Sequence, residues 1–523
     1  MYRSYLPACT CLNRRHATGW LALALLGPHA APAQTSQANA PRTALPSLGD
    51  AGEMTPLQER KLGDRIAREL FRDPAYFDDP VIAEWVDSLW RPLRAAARQR
   101  GELPAELDER YAWRVLLGRG GDINAFALPG GYFGLYLGLV GVVDTRDELA
   151  SVLAHEMAHV TQRHISRMIG QQSRQTPLLL ATMVLGALAA SRNPQAGAAL
   201  AVGGQAAALQ QQLGYSRDME READRIGYGI FTQAGFAPRG AAGMFEKLQH
   251  ASRLSDRGDW PYLRSHPLTT ERLAEARRRA PQTAQPAAPD LAQAQVSARA
   301  RVLARPGVDV LRAWAAEPQH TGFASQPAAR RVAALYAAAL ARAELRDLPG
   351  AQALAEPLAT LTAASPAAAR QTRLLQADLA LRAGQHARVQ TLLKNTQPPG
   401  PEGRPERLLL AQADTGAGQP EAATERLLPW VSDHPLDATA WQLLAAAWRA
   451  RQQPLRALRA EGEAQYALMD LAGAADRFRA AQDMARRDPG ADHIEASIID
   501  TRLRETQEAL RQQQRDDQQA APR

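Results

Sequence analysis

The run Ala154-His155-Glu156-Met157-Ala158-His159 limits what this chain can fold into more than any other stretch. Two histidines four residues apart leave the same face only if the run is helical, and there both imidazoles can grip one metal ion. Glu156 follows the first histidine, where its carboxylate can reach a water at the metal without being a ligand; the pattern H-E-x-x-H thus joins two metal ligands to a general base. The surroundings support a helix. Thr145 and Glu148 make a capping box at its start, and Leu149, Val152, Leu153, Met157 and Val160 recur at helical spacing in an amphipathic run to about Met168. The plainer alternative is a helix that merely carries two histidines, and the downstream sequence weighs against it.

A chain of 523 residues is too long for one ordinary core and implies two or three domains. Its net charge of +7 comes from arginine scattered along helical segments, with no dense basic block, so nucleic-acid binding has no positive support. Residues 1–33 read as an export signal. Arg14 and Arg15 form a basic end, Trp20 to Leu26 is apolar but too short to anchor in a bilayer, and Ala31-Pro32-Ala33 fits a cleavage site. Cys9 and Cys11 are the only cysteines and precede that site, so the mature chain would hold no thiol, which suits an oxidising compartment such as a bacterial periplasm.

After a polar leader, 34–54, Thr55-Pro56 opens a helix with Leu62, Ile66 and Leu70 on one side. A second helix runs from about Pro80 to Arg100 with Ile82, Trp85, Val86, Leu89 and Leu93. Then the period changes. Tyr111 to Leu117, Ile123 to Leu128 and Tyr132 to Leu137 read as strands, with a tight turn at Pro129-Gly130-Gly131. Together Asn124-Ala125-Phe126-Ala127-Leu128-Pro129-Gly130-Gly131, Gly138-Leu139 and the H-E-x-x-H run resemble the zinc metallopeptidases related to HtpX and the CAAX-processing proteases. The resemblance implies an α+β, gluzincin-like metallopeptidase domain over 55–279, a small sheet plus helices. It also implies that the strand leading to the metal helix edges the site and can take a substrate segment as an extra strand.

A catalytic zinc with two histidines needs a further ligand and one open position. A metzincin would require glycine at 162 and histidine at 165, but the chain has Gln162 and Ile165; His164, one place short, reads as a structural or surface histidine. Further on, Glu220-Arg221-Glu222-Ala223-Asp224 resembles the family's E-x-x-A-D element. The resemblance makes Glu220 the third ligand and Asp224, one turn later, the group that orients a ligand histidine, while Glu222 matches neither role. Arg264-Ser265-His266-Pro267-Leu268-Thr269-Thr270-Glu271-Arg272 resembles a motif of the periplasmic, repeat-carrying branch, which makes His266 a displaceable fourth ligand; a turn histidine before a proline is the alternative. Leu178 to Ala190 is apolar for only 13 residues, so the interval to about 208 reads as a buried or lid-like segment, with peripheral membrane contact as the lesser alternative.

Residues 280–291 are rich in Pro, Ala and Gln and read as a linker. Beyond it the chain is helical and periodic over 292–508. Gly350, Gly384-Gln385, Gly418-Gln419 and Gln452-Gln453 step by 34, the length of a tetratricopeptide repeat. Trp441, Leu444, Ala445 and Trp448, then Ala474, Phe478 and Ala481, suit the packing of an all-α repeat solenoid, a plain helical bundle being the alternative. The tail 509–523 is Gln- and Asp-rich and is expected to be disordered.

As a whole the chain resembles the BepA-type periplasmic metalloproteases: signal, peptidase domain, repeats. The resemblance implies one zinc ion per chain on His155, His159 and Glu220, Glu156 as catalytic base assisted by Asp224, and proteolysis of unfolded or stalled outer-membrane proteins. It also implies docking of the β-barrel assembly machinery through the repeats. The rival expectation is a chaperone or assembly scaffold whose metal site His266 holds closed.

Overall fold

The computed structural model describes residues 54–171, 216–254, 261–280, 290–394 and 403–520. The expected export signal, the leader up to residue 53, the interval 178–208 and most of the linker lie outside these residues. Helix α1, Pro56–Arg72, starts on a capping box between Thr55 and Gln58 and buries Leu62, Ile66 and Leu70. Strand β1, Tyr76–Phe77, leads to α2, Pro80–Gln99, which is capped by Asp79 and buries Ile82, Val86, Leu89 and Leu93. A short α3, Ala105–Arg110, precedes β2, Arg114–Gly118, β3, Ala125–Leu128, and β4, Tyr132–Tyr136.

The sheet order is β1-β2-β4-β3, with β2 and β4 parallel and the other pairs antiparallel. The expected strands are all present, each slightly shorter than expected. β3 and β4 form a hairpin turned at Gly130 and Gly131, whose φ values of 72° and 81° only glycine adopts at low cost. Phe126 lies opposite Gly134, and its ring covers the space a side chain there would need. β3 ends the sheet and packs on the helix that carries the paired histidines.

That helix follows α4, Leu137–Val142, and is α5, Arg146–Thr161, opened by the expected Thr145/Glu148 box. It is not amphipathic: from Leu149 to Thr161 only Ser151 is not buried, because its polar residues face an internal cluster rather than solvent. Nor does it run on to Met168. Arg163 takes a left-handed φ of 54°, and α6, His164–Gln171, starts in a new direction. Arg163 is held there by Glu59 at 2.7 Å and by the Met54 carbonyl, and Glu59 also accepts from the Tyr111 hydroxyl at 2.8 Å. Helices α7, Arg217–Gln233, α8, Arg239–Leu254, α9, Pro261–Ser265, and α10, Thr270–Arg279, complete this region. α7 crosses α5 closely because Gly227 carries no side chain; a Cβ there would sit 3.0 Å from the Ala154 carbonyl oxygen.

The C-terminal region is helical. α11, Leu291–Leu303, and α12, Val308–Ala316, are followed by five helix pairs. These are α13, Ala328–Glu344, with α14, Leu348–Thr362; α15, Pro366–Arg382, with α16, His386–Lys394; and α17, Arg404–Gly416, with α18, Pro420–Asp433. α19, Ala438–Ala450, pairs with α20, Pro454–Ala467, and α21, Leu471–Arg487, with α22, His493–Ala520. Left-handed residues at Gly384, Gly418 and Gln452 turn three successive pairs at the 34-residue spacing read from the sequence. Gly350 departs from it: it lies in the first turn of α14, and Arg346, with φ 67°, makes the preceding turn. The tail is also not frayed as expected. α22 continues to Ala520, and Asp516 pairs with Lys61 at 2.9 Å while Asp517 pairs with Arg65 and Arg68 at 3.0 Å.

From Met54 onward the described residues belong to one compact unit. α11 joins its two halves, because Val296 and Ala300 pack into the core around α5 while Ala298 and Val302 pack with α13. Arg299 reaches the Asp79 cap of α2 at 2.7 Å, and Arg370 joins Glu84 of α2 at 2.7 Å to Glu406 at 2.6 Å. Among the described residues no helix is long and apolar enough to cross a membrane.

Candidate metal centre

Three elements bring the functional side chains together. α5 presents His155 and His159 one turn apart, α7 presents Glu220 in its first turn behind the Ser216 cap, and the residue after α9 is His266. One ligand atom from each of these four lies within 4.8 Å of all the others. His155 Nε2 is 3.0 Å from His159 Nε2, and Glu220 Oε1 is 3.4 Å from His159 Nε2 and 2.9 Å from His266 Nδ1. All four are buried, none more than 6% exposed. Three imidazoles and a carboxylate converging in a buried pocket match the donor set of a four-coordinate metal site.

Glu156 is 1% exposed, and neither carboxylate oxygen has a hydrogen-bond partner among the described residues. His266 Nε2, at 3.4 Å, faces one of those oxygens. Burying a carboxylate without partners is costly. Its position beside the donor set, outside it, fits a group whose proton-donating partner is a water or substrate atom at a metal. The residues therefore fit a bound metal ion.

Behind the donors lies a charged layer. His155 Nδ1 meets Asp224 Oδ1 at 3.0 Å, and Asp224 is gripped by both Nε and Nη2 of Arg272 at 2.6 and 2.8 Å. Arg272 also reaches Glu220 at 2.6 Å and the Pro267 carbonyl at 2.9 Å, so this one guanidinium ties α7 to the segment carrying His266. The electrostatics follow. Burial alone would lower His155, but hydrogen bonds to Asp224 and Glu220 outweigh it and push the imidazole up to about 10. Burial opposes ionisation of Asp224 too, yet His155 and Arg272 hold it at about 2. Glu220 stays well below the carboxylate range because His266, His155 and His159 together overcome its desolvation. Desolvation dominates at His159 and keeps it neutral.

Every residue singled out from the sequence for this site, His155, Glu156, His159, Glu220, Asp224 and His266, is in this cluster. His266 sits in the bend before Pro267, yet it is buried, 1% exposed, and stacks on Tyr262 with ring centroids 4.7 Å apart. Of the two readings of His164, structural or surface, the structure shows the first. His164 is fully buried, its Nδ1 2.8 Å from Nδ1 of His159, and its Nε2 meets Glu222 at 3.0 Å. On a continuous helix a residue five positions on would point roughly 140° away; the break at Arg163 turns His164 back. The contacts of Arg272 and Glu222 were missed, although both stand inside quoted motifs, because a charged residue in a polar helix carries no signal of which distant partner it meets.

This is the site of an H-E-x-x-H metallopeptidase on an α+β scaffold. The profile of Peptidase family M48 matches residues 91–280. The chain is 32% identical over 443 residues to the β-barrel assembly-enhancing protease of Escherichia coli, covering 82% of this chain and 85% of that protein. It is 31% identical over 434 residues to the protein of the same name from Yersinia pestis, covering 82% and 86%. Its 35% identity to the putative β-barrel assembly-enhancing protease of Vibrio cholerae extends over 240 residues, about half of either protein. The chain belongs to peptidase family M48, on the branch of the β-barrel assembly-enhancing proteases, and is a metalloprotease.

Proposed function

We propose that the chain is a zinc endopeptidase of the bacterial periplasm, acting in quality control and assembly of outer-membrane β-barrel proteins. The observation that carries the reading is the buried convergence of His155, His159 and Glu220 beside the unpartnered carboxylate of Glu156. One zinc ion would be held by His155, His159 and Glu220; bound there, it supplies Lewis-acid polarisation of the scissile carbonyl and lowers the pKa of a water from ~15.7 towards ~7. Glu156 takes the proton of the attacking water and returns it to the leaving amine. Asp224, fixed by Arg272, holds the Nδ1 proton of His155 so that Nε2 faces the metal. The strand that leads towards α5, β4, lies inside the sheet, so the terminal strand β3, packed on α5 and unpaired on its outer side among the described residues, is the one that would take an extended substrate backbone.

The names of the relatives support unfolded or stalled β-barrel proteins as substrates. The 34-residue spacing of the left-handed turns supports tetratricopeptide repeats, which would dock the assembly machinery. The sequence of residues 1–33 supports export, and that of 178–208 leaves room for peripheral membrane contact. A second reading, a scaffold with a closed metal site, draws on His266, which sits 2.9 Å from Glu220 and 3.4 Å from Glu156 in the fourth position. Cleavage of an unfolded test protein by the wild type, Glu156→Gln and His266→Ala separates the two. Activity lost in the first variant and raised in the second supports a protease under histidine control. A Glu156→Gln chain that restores outer-membrane assembly in cells as well as wild type supports the scaffold.

A further inference from the structure

We infer that His164 and Glu222 are positioning residues that fix the tautomer and orientation of His159 and thereby set the metal affinity of the site. The inference rests on the metal reading above but concerns residues that reading does not use. His159 Nε2 faces the donor cluster, 3.0 Å from His155 Nε2. A neutral imidazole carries one proton, so a lone pair on Nε2 places that proton on Nδ1. Nδ1 lies 2.8 Å from His164 Nδ1, which must then be the acceptor. With its Nδ1 accepting, His164 carries its own proton on Nε2, and that N–H donates to Glu222 Oε2 at 3.0 Å. Arg167 Nη1 donates to the same oxygen at 2.8 Å and anchors the end of the chain. Each of the three hydrogen-bonding roles follows from the one before, and turning either ring over would set the wrong atom against its neighbour.

The two metal-facing histidines are therefore held differently. Away from the metal, His155 Nδ1 meets a carboxylate directly, whereas His159 Nδ1 reaches one through His164, an intervening ring that is itself fully buried. The device depends on the left-handed turn at Arg163, since without that reversal His164 would not face His159.

The test is zinc affinity of the full mature chain, measured by chelator competition, with the visible spectrum of the Co2+-loaded protein and the Tm of the metal-free protein recorded alongside. His164→Leu, which keeps bulk but removes both nitrogens, is expected to weaken zinc by roughly 10–100-fold and to alter the Co2+ spectrum. His164→Gln, whose carbonyl can accept from His159 while its amide donates to Glu222, should recover most of that loss. Glu222→Ala should weaken zinc by up to roughly 10-fold without lowering the metal-free Tm as much as it lowers the zinc-loaded one. Unchanged zinc affinity and Co2+ spectrum in His164→Leu overturn the inference; should that variant not fold, unchanged zinc affinity in Glu222→Ala overturns it whatever His164→Gln shows. A wild-type chain that binds no zinc sinks the metal reading itself, which is a separate and recognisable outcome.

Discussion

Glu156 and Glu220 are both buried carboxylates in one pocket, yet their surroundings give them opposite duties. Glu220 is surrounded by three imidazoles and Arg272, a setting that stabilises a permanent anion, while Glu156 has no hydrogen-bond partner among the described residues and faces His266 only at 3.4 Å, which leaves it open to accept a proton. Replacing Glu156 by Gln is therefore expected to keep bound zinc and cut hydrolysis by at least roughly 10²–10⁴-fold, whereas Glu220→Gln should lose zinc itself. Metal content and cleavage rate measured on the same samples check this, and equal zinc and activity in Glu220→Gln would remove it from the ligand set. His155 gives a pH dependence. Raised from 6.5 to about 10 without metal, it is protonated at neutral pH, and zinc must displace that proton. The charged imidazole thus adds to metal-free stability fully below about pH 6.5, and that share is lost as pH rises through about 10. Zinc uptake runs the other way and should strengthen over the same window, with about one proton released per zinc at pH 7 by calorimetry in two buffers. Uptake with no proton release would contradict it. At this scale the convergence of His155 and His159 was legible because helical spacing puts both on one face, and that of Glu220, Asp224 and His266 was legible through the resemblance of their motifs. His164 was not, since its placement depends on Glu59, a residue on another helix that holds Arg163 in the turn.

Helices position these residues by how closely they approach one another. α7 carries Glu220 and Asp224, and it can reach α5 only because Gly227 leaves room for the backbone at Ala154 and His155. Gly227→Val is expected to push α7 outward, lower stability by about 1–3 kcal/mol and weaken zinc binding, although it touches no ligand. Denaturation and zinc titration of that variant check the claim; zinc affinity equal to wild type would show that the crossing does not set the ligand geometry. The strands and the first two helices were readable from periodicity and capping residues, with Thr55 and Thr145 capping where the sequence places them. What periodicity could not show was the burial of α5 on every side or its early end, because both depend on elements that pack against it from distant parts of the chain. The register of the C-terminal turns was readable at 384, 418 and 452, where a left-handed turn shares one spacing, and failed at Gly350, where glycine fills a helix turn instead.

At the scale of the whole molecule, the catalytic and C-terminal regions share one compact unit. α11 contributes to both cores, and Arg299 with Asp79 forms a buried pair between them, each side chain less than a tenth exposed. Asp79→Ala would leave the Arg299 charge buried and partly unpaired and also uncap α2. It should cost about 3–5 kcal/mol, with both regions still unfolding in a single transition. Two separated calorimetric transitions in the wild type would show that the regions are independent. Sequence composition suggested a linker at 280–291 but could not reveal that the helix beyond it, α11, packs into the core around α5, since one face of α11 reads like any other Ala-rich helix. Nor could it reveal that Asp516 and Asp517 return to α1. The central claim, a single zinc ion on His155, His159 and Glu220 driving peptide hydrolysis, is tested most directly by metal removal. The purified mature chain is assayed on an unfolded test protein as prepared, after chelation, and after one equivalent of zinc is restored, beside Glu156→Gln. The account expects cleavage to vanish with the metal, to return with one zinc per chain, and to stay absent in Glu156→Gln despite full zinc loading. Cleavage that survives chelation, or that Glu156→Gln retains, would contradict it.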